Sequence, residues 1–249
     1  MPDPRTTERV WIIGASDGIG AALARAYAAR GDRVILSARS TDRLQALAGE
    51  MPKGAAEVVG IDIADAADVA DAALRVKAGG PVDRVINMAA LYDPGQVEEI
   101  DLTQAANIVQ VNLTGSLLVA RAALDVLRPQ GQIALCGSVA GYFGLPQGQI
   151  YSATKAGVAN LAETLRNEVA GRFDVRLISP GFVDTRLTQK NDFTMPGLLT
   201  ADRAAAEILQ GLDARRFEVH FPRRLTMPLK LLRRLPYALS LPLTRRLVR

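Results

Sequence analysis

The sequence predicts a single α/β domain built on a doubly wound parallel sheet, and three observations carry that expectation. Short, continuously apolar runs alternate with alanine-rich helical patterns along most of the 249 residues. The apolar runs lack the in–out alternation of a half-exposed sheet, so both faces of each strand need cover. A glycine-rich turn, Gly14-Ala-Ser16-Asp17-Gly18-Ile19-Gly20, joins the first apolar run to the first helical pattern.

Taken in order, the first strand is expected over 9–13, where Val10-Trp11-Ile12-Ile13 is wholly apolar, and the alanine-rich stretch 20–30 follows as a helix. Val34-Ile35-Leu36 marks a second strand over 33–37, and a helix over 42–48 leads to a third strand over 56–61. The helical pattern 66–78 precedes a fourth strand over 84–87, which carries Val85-Ile86. One long helix is expected over 103–127, then a fifth strand over 132–136 and a helix over 152–170. A sixth strand over 175–179, a helix over 201–212 and a short last strand over 217–221 complete the order. Strands separated by helices, joined by right-handed crossovers, give a Rossmann-type sheet. Trp11 and Cys136 read as core residues, and His220, the only histidine, reads as structural.

With 49% hydrophobic residues the chain can bury one large core. One cysteine excludes a disulfide framework and a cysteine-based metal site, and no metal is expected. The first residues hold acids and no apolar leader, which points to a cytoplasmic protein. No uncharged run approaches the roughly 20 residues of a spanning helix. Net charge is +4, yet residues 215–249 hold ten Lys/Arg against one acid, which is +9 and leaves −5 for the rest. The basic balance therefore describes a tail, and no aromatic platform or zinc spacing accompanies it to suggest nucleic acid.

The glycine turn suits a pyrophosphate: glycines allow close backbone approach, and the helix that follows presents its positive end. At the end of the second strand Ala38 stands where an acid would bind an adenosine ribose, and Arg39 follows. A guanidinium there suits a 2′-phosphate, with Ser16 as a further hydroxyl donor, so NADP(H) is expected over NAD(H). Tyr151 and Lys155 lie four apart on a helix, one turn from each other. An ammonium beside a phenol favours the phenolate and moves its pKa down from about 10 toward a value useful for proton transfer.

The glycine pattern, Asn87-Met-Ala89-Ala90, Asn112, Ser138, Tyr151, Lys155 and Pro180-Gly181-Phe-Val183-Asp-Thr185 together resemble the short-chain dehydrogenase/reductase family. The resemblance runs from about residue 9 to 212 and departs from the family at Ile13 and at Met88-Ala89-Ala90. It implies that Tyr151 donates or accepts the proton, that Lys155 tunes it and binds the nicotinamide ribose, and that Ser138 bonds the substrate oxygen. It implies a relay water on Asn112, which as a bare residue is equally a packed polar side chain. Asp62, with Ile63 beside it, resembles the adenine-binding aspartate; its alternative is a turn acid. The segment from Pro180 and Gly181 to Thr185 would run beneath the nicotinamide, with the Val183 backbone and the Thr185 hydroxyl binding its carboxamide, and 186–199 would form a substrate lid. Phe143, Leu145, Phe193 and Met195 are candidates for an apolar pocket or for core.

Residues 222–249 form a basic, proline-punctuated extension with prolines at 222, 228, 236 and 242, which limit it to helices of two turns or less. Its leucines and cations suit an anionic membrane surface; packing on the chain's own core or on a partner is the alternative. A homo-oligomer is expected, a dimer rather than the family's tetramer, because the glycine-rich strand that commonly ends the family is missing. The function expected is interconversion of a carbonyl and an alcohol, with reduction of a hydrophobic ketone or aldehyde foremost. The alternatives are a 3-oxoacyl reductase acting on an acidic carrier protein and a non-catalytic NADP-binding sensor or scaffold.

Overall fold

The computed structural model describes residues 6–191 and 193–245, so residue 192 of the expected lid and 246–249 of the tail lie outside the described residues. Seven parallel strands form one sheet in the order β3-β2-β1-β4-β5-β6-β7. They are β1 (Arg9–Ile13), β2 (Arg33–Ser37), β3 (Ala56–Val58), β4 (Val82–Asn87), β5 (Leu127–Cys136), β6 (Asp174–Pro180) and β7 (Glu218–Phe221). The helices are α1 (Gly18–Ala29), α2 (Thr41–Gly49), α3 (Ala66–Ala78), α4 (Leu102–Val109), α5 (Gly115–Val126), α6 (Gln149–Glu168), α7 (Ala201–Asp213), α8 (Arg223–Arg233) and α9 (Tyr237–Thr244).

Successive strand side chains point to opposite faces, and β1 uses both. Trp11 and Ile13 join a core with α3, α5 and α6, while Val10 and Ile12 join a second core with α1, α2 and α7. All four residues are fully buried, which is why the run reads as continuously apolar. Ile13 pairs with Ser37 on one side and Asn87 on the other. From β1 the chain winds outward first toward β3 and then toward β7, so the connections leaving β1 and β4 part at the carboxyl ends of the strands. A crevice opens at that switch point.

Four elements differ from expectation. β3 stops at Val58 rather than 61, because Ser37 Oγ donates to the Val59 carbonyl (2.6 Å) and takes it out of the ladder. β5 begins at Leu127 rather than 132; Pro129 and Gln130, the latter at φ 63°, sit at an irregularity in its pairing with β4 and hide its start. The expected long helix is broken into α4 and α5 by a π-helical turn over Gln110–Thr114. At its centre Asn112 is fully buried; its Oδ1 accepts from Leu91 N (2.7 Å) and its Nδ2 donates to Leu91 O (2.9 Å). Lastly, α8 runs for 11 residues with Pro228 inside it, longer than two turns. Pro228 leaves the Arg224 carbonyl without its helical donor, and both residues are exposed.

Candidate active site

The glycine turn is held by what it touches. Gly14 has φ +82°, and a Cβ there would stand 2.5 Å from Ala89 N. A Cβ on Gly20 would meet Gly14 O at 2.1 Å, so the first turn of α1 closes onto the strand end only as glycine. Gly14 N and Ala15 N both donate to Ser37 O (2.7 and 3.1 Å), and Asp17 caps α1 by accepting from Gly18 N (2.7 Å). The positive end of α1 thereby faces the crevice.

That crevice is a cleft of about 530 Å³, well inside the range of ligand cavities. Gly14, Ser16, Asp17, Gly18, Ile19 and Gly20 form one wall, with Arg39, Asp62 and Ile63 at the far end. Ala89, Ser138, Tyr151, Lys155, Pro180, Gly181, Val183 and Thr185 form the other. Asn87 and Asn112 stand behind the lining. Asn87 Nδ2 donates to Ser116 Oγ (3.1 Å) and its Oδ1 accepts from Ala89 N (3.2 Å), so it shapes the wall. Asn112 clamps the Leu91 backbone and reaches Thr154 Oγ1 (3.3 Å), which is the packed polar role. One Asp62 oxygen accepts from Ala64 N (3.0 Å), as a turn acid does.

Tyr151 and Lys155 occupy the first two turns of α6, with Lys155 Nζ 5.6 Å from the phenol ring centre. Lys155 is 2% exposed, and among the described residues its one hydrogen-bond acceptor is Cys136 O (2.7 Å). An ammonium has three donors, so two remain for a polar ligand in the cleft, chemistry that suits a ribose diol. Burial lowers the Lys155 pKa. Burial also raises the Tyr151 pKa, and a hydrogen bond with Ser138 opposes that rise only in part. The expected depression of the phenol by Lys155 is therefore not what the protein's own groups produce: desolvation of the phenolate dominates and the net shift is upward. Ser138 Oγ also accepts from Ala140 N (3.1 Å), which fixes its direction. Cys136, expected as plain core, lines the cleft.

Several cleft residues escaped the sequence reading. Tyr92 stacks edge-on against Tyr151 at 4.7 Å between ring centres and donates to Asn191 Oδ1 (2.7 Å). Lys190 Nζ donates to Tyr92 O (2.9 Å), so the expected lid closes over the Tyr151 end. Arg186 pairs with Asp17 across the cleft, and Arg43 reaches the same carboxylate at 3.7 Å. Arg43 was legible: it lies in the first turn of α2, four residues beyond Arg39. Tyr92 had no local signal, since only the sheet order brings it to Tyr151. Among the apolar candidates, Phe193 packs edge-on against Phe182 (5.7 Å) rather than lining the cleft, and Met195 Sδ accepts from Asn191 Nδ2 (3.3 Å). Phe143 and Leu145 are half-buried and stand outside the cleft lining.

The short chain dehydrogenase family model matches residues 8–195. An uncharacterized oxidoreductase of Myxococcus xanthus is 33% identical over 243 residues, which is 95% of this chain and 96% of that protein. Among solved structures, a short chain dehydrogenase from Burkholderia cenocepacia in complex with NADP superimposes with a TM-score of 0.84 at 27% identity, covering 95% of this chain and 97% of the other. An alcohol dehydrogenase from Thermococcus sibiricus complexed with 5-hydroxy-NADP gives a TM-score of 0.78 at 30% identity, covering 87% and 96%. Motif, strand order and kinship converge: this chain is an oxidoreductase of the short-chain dehydrogenase/reductase family.

Proposed function

We propose that the protein uses NADP(H) to interconvert a carbonyl and an alcohol, chiefly reducing a hydrophobic ketone or aldehyde. One observation carries the reading: a buried phenol, lining the cleft with Ser138 and one turn from a buried ammonium, shares that cleft with guanidinium groups. Ser16, Arg39 and Arg43 line the cleft and Ala38 stands where an acid would take the ribose hydroxyls, which favours a 2′-phosphate. The NADP complexes of the Burkholderia and Thermococcus proteins support the same preference.

The bound nicotinamide supplies or accepts the hydride. Tyr151, kept as a phenol by burial, donates its proton to the carbonyl oxygen as that oxygen gains charge. Ser138 Oγ hydrogen-bonds the same oxygen and stabilises the developing charge. Lys155 turns its two remaining N–H groups to the ribose and holds positive charge beside the phenol. Asn112 keeps Leu91 in place and with it the wall carrying Tyr92.

Tyr151→Phe removes the proton donor and leaves the ring, so NADPH-dependent carbonyl reduction should fall by roughly 10²–10⁴-fold while NADPH still binds. Unchanged turnover in that variant excludes the assigned role. The competing enzyme reading, a 3-oxoacyl reductase on an acidic carrier protein, shares this chemistry and differs in what meets residues 222–249. An anionic membrane surface is the partner those residues suit better, and a homodimer is the expected assembly, readable by light scattering.

A further inference from the structure

The C-terminal helices are attached to the enzyme by one side only. Thr226 is fully buried and its Oγ1 bonds His220 Nδ1 (2.7 Å), while Lys230 Nζ pairs with Glu218 Oε2 (2.5 Å). Much of the rest of their surface is bare, and large apolar residues stand on it. Met227 is 56% exposed, Leu231 65%, Tyr237 81%, Leu239 56%, Leu241 53% and Leu243 45%. Around them Arg223, Arg224, Arg233, Arg234 and Arg245 are exposed, and no Asp or Glu follows Glu218 in the sequence.

We propose that this face of α8 and α9 docks the protein on an anionic lipid bilayer, beside the entrance through which its hydrophobic substrate arrives. The proposal rests on the carbonyl-reductase reading for the substrate, but not for the docking. Charge selects the occupant. A two-fold contact with a second copy would set the same unbalanced guanidinium groups against each other. Anionic headgroups answer them, and exposed leucines flanked by arginines and a tyrosine are the composition of an interfacial segment. No helix among the described residues is long and apolar enough to cross a membrane, so the helices lie on the surface. A fluid bilayer also conforms to the rounded face of two short helices, where a folded partner needs a shaped groove.

Position links the face to the chemistry. A Cβ on Gly197, in the lid, would stand 3.2 Å from Pro222 Cγ at the base of α8. One on Gly181, under the expected nicotinamide, would stand 2.9 Å from Leu225 Cδ2 of the same helix. Leu198 of the lid is 43% exposed and continues the apolar rim. A docked α8 therefore holds the lid's edge at the lipid surface.

The test is co-sedimentation of the full chain with phosphatidylcholine vesicles, with and without phosphatidylglycerol. Wild type should sediment with the anionic vesicles and be released by salt. A Leu231→Asp/Leu239→Asp/Leu241→Asp variant and an Arg233→Glu/Arg234→Glu variant should each bind at least ~10-fold more weakly, because each removes one of the two attractions. Both should still reduce a water-soluble carbonyl at the wild-type rate, and turn over a long-chain carbonyl held in the vesicles more slowly. Wild type left in the supernatant with anionic vesicles, or variants that bind as well as wild type, overturns the docking face. Capture by an acidic carrier protein but not by vesicles overturns it in favour of a protein partner. Vesicle binding with no carbonyl turnover at all leaves the docking intact and sinks the reductase reading instead.

Discussion

Lys155 is almost wholly buried, and among the described residues the one hydrogen-bond acceptor of its ammonium is the Cys136 carbonyl. A charge so placed weakens the fold, since desolvation is repaid only where partners are complete. Lys155→Met should therefore leave the melting temperature unchanged or raise it, while NADPH affinity falls by about 10-fold or more. A melt lowered together with retained NADPH affinity would show a purely structural lysine. The phenol sets the pH behaviour. With its pKa raised, Tyr151 stays protonated from neutral pH to beyond the ordinary phenol value of about 10, so reduction should not lose its proton donor across that range. Alcohol oxidation needs the deprotonated form and should rise with pH; rate profiles in both directions check the sign. Arg39→Asp should reverse the cofactor preference, costing NADPH roughly 10- to 100-fold in KM and sparing NADH. These positions were legible because helical spacing and a strand end locate them. The rise at Tyr151 was not, because burial depends on the Tyr92 ring and the closed lid, which lie distant in sequence.

Glu218 shows how one element is fastened to another. Burial pushes its pKa up, but hydrogen bonds from Lys230, Tyr142 and Ser179 pull harder, and the net value is lowered. Tyr142 OH donates to Glu218 Oε1 (2.6 Å), so one carboxylate on β7 ties α8 to the short turn after Ser138. A lowered folded value means the contact stabilises the protein fully above the unfolded value of about 4.3 and is lost as pH falls through the lower folded value. Glu218→Gln should cost about 1 kcal/mol, roughly 2–4 °C in melting temperature at neutral pH, with the difference from wild type shrinking in acid. A difference independent of pH would remove the charge from the account. Strands buried on both faces announced themselves by continuous apolarity. The π turn at Asn112 did not, because its cause is the Leu91 backbone. The start of β5 stayed hidden because Arg128, Pro129 and Gln130 carry no apolar signal.

Across the whole molecule, the end of the sheet opposite the cleft is closed by charge. Arg84 reaches Glu8 (2.9 Å) and Asp213 (2.7 Å), and Arg30 reaches Glu8 (3.3 Å) and Asp213 (2.8 Å). These pairs join β1, α1, β4 and the end of α7, so chemistry at one end of the strands is separated from fastening at the other. A ligand at the switch point should stabilise the entire domain. At about 100 times its Kd, NADPH should add about 2.7 kcal/mol, or roughly 5–10 °C in a thermal melt, with NADH giving less at equal concentration. An equal shift from both would refute the 2′-phosphate preference. The seat of the glycine turn has a consequence for how the protein is made. Gly14 rests on Ala89, and the opposite wall awaits Tyr151 and Pro180. As the chain leaves the ribosome, its first three strands emerge beside a nucleotide pocket with no far wall. The lining is complete only once β6 and Thr185 have followed, so a cofactor that needs both walls should be held only after most of the chain has been made.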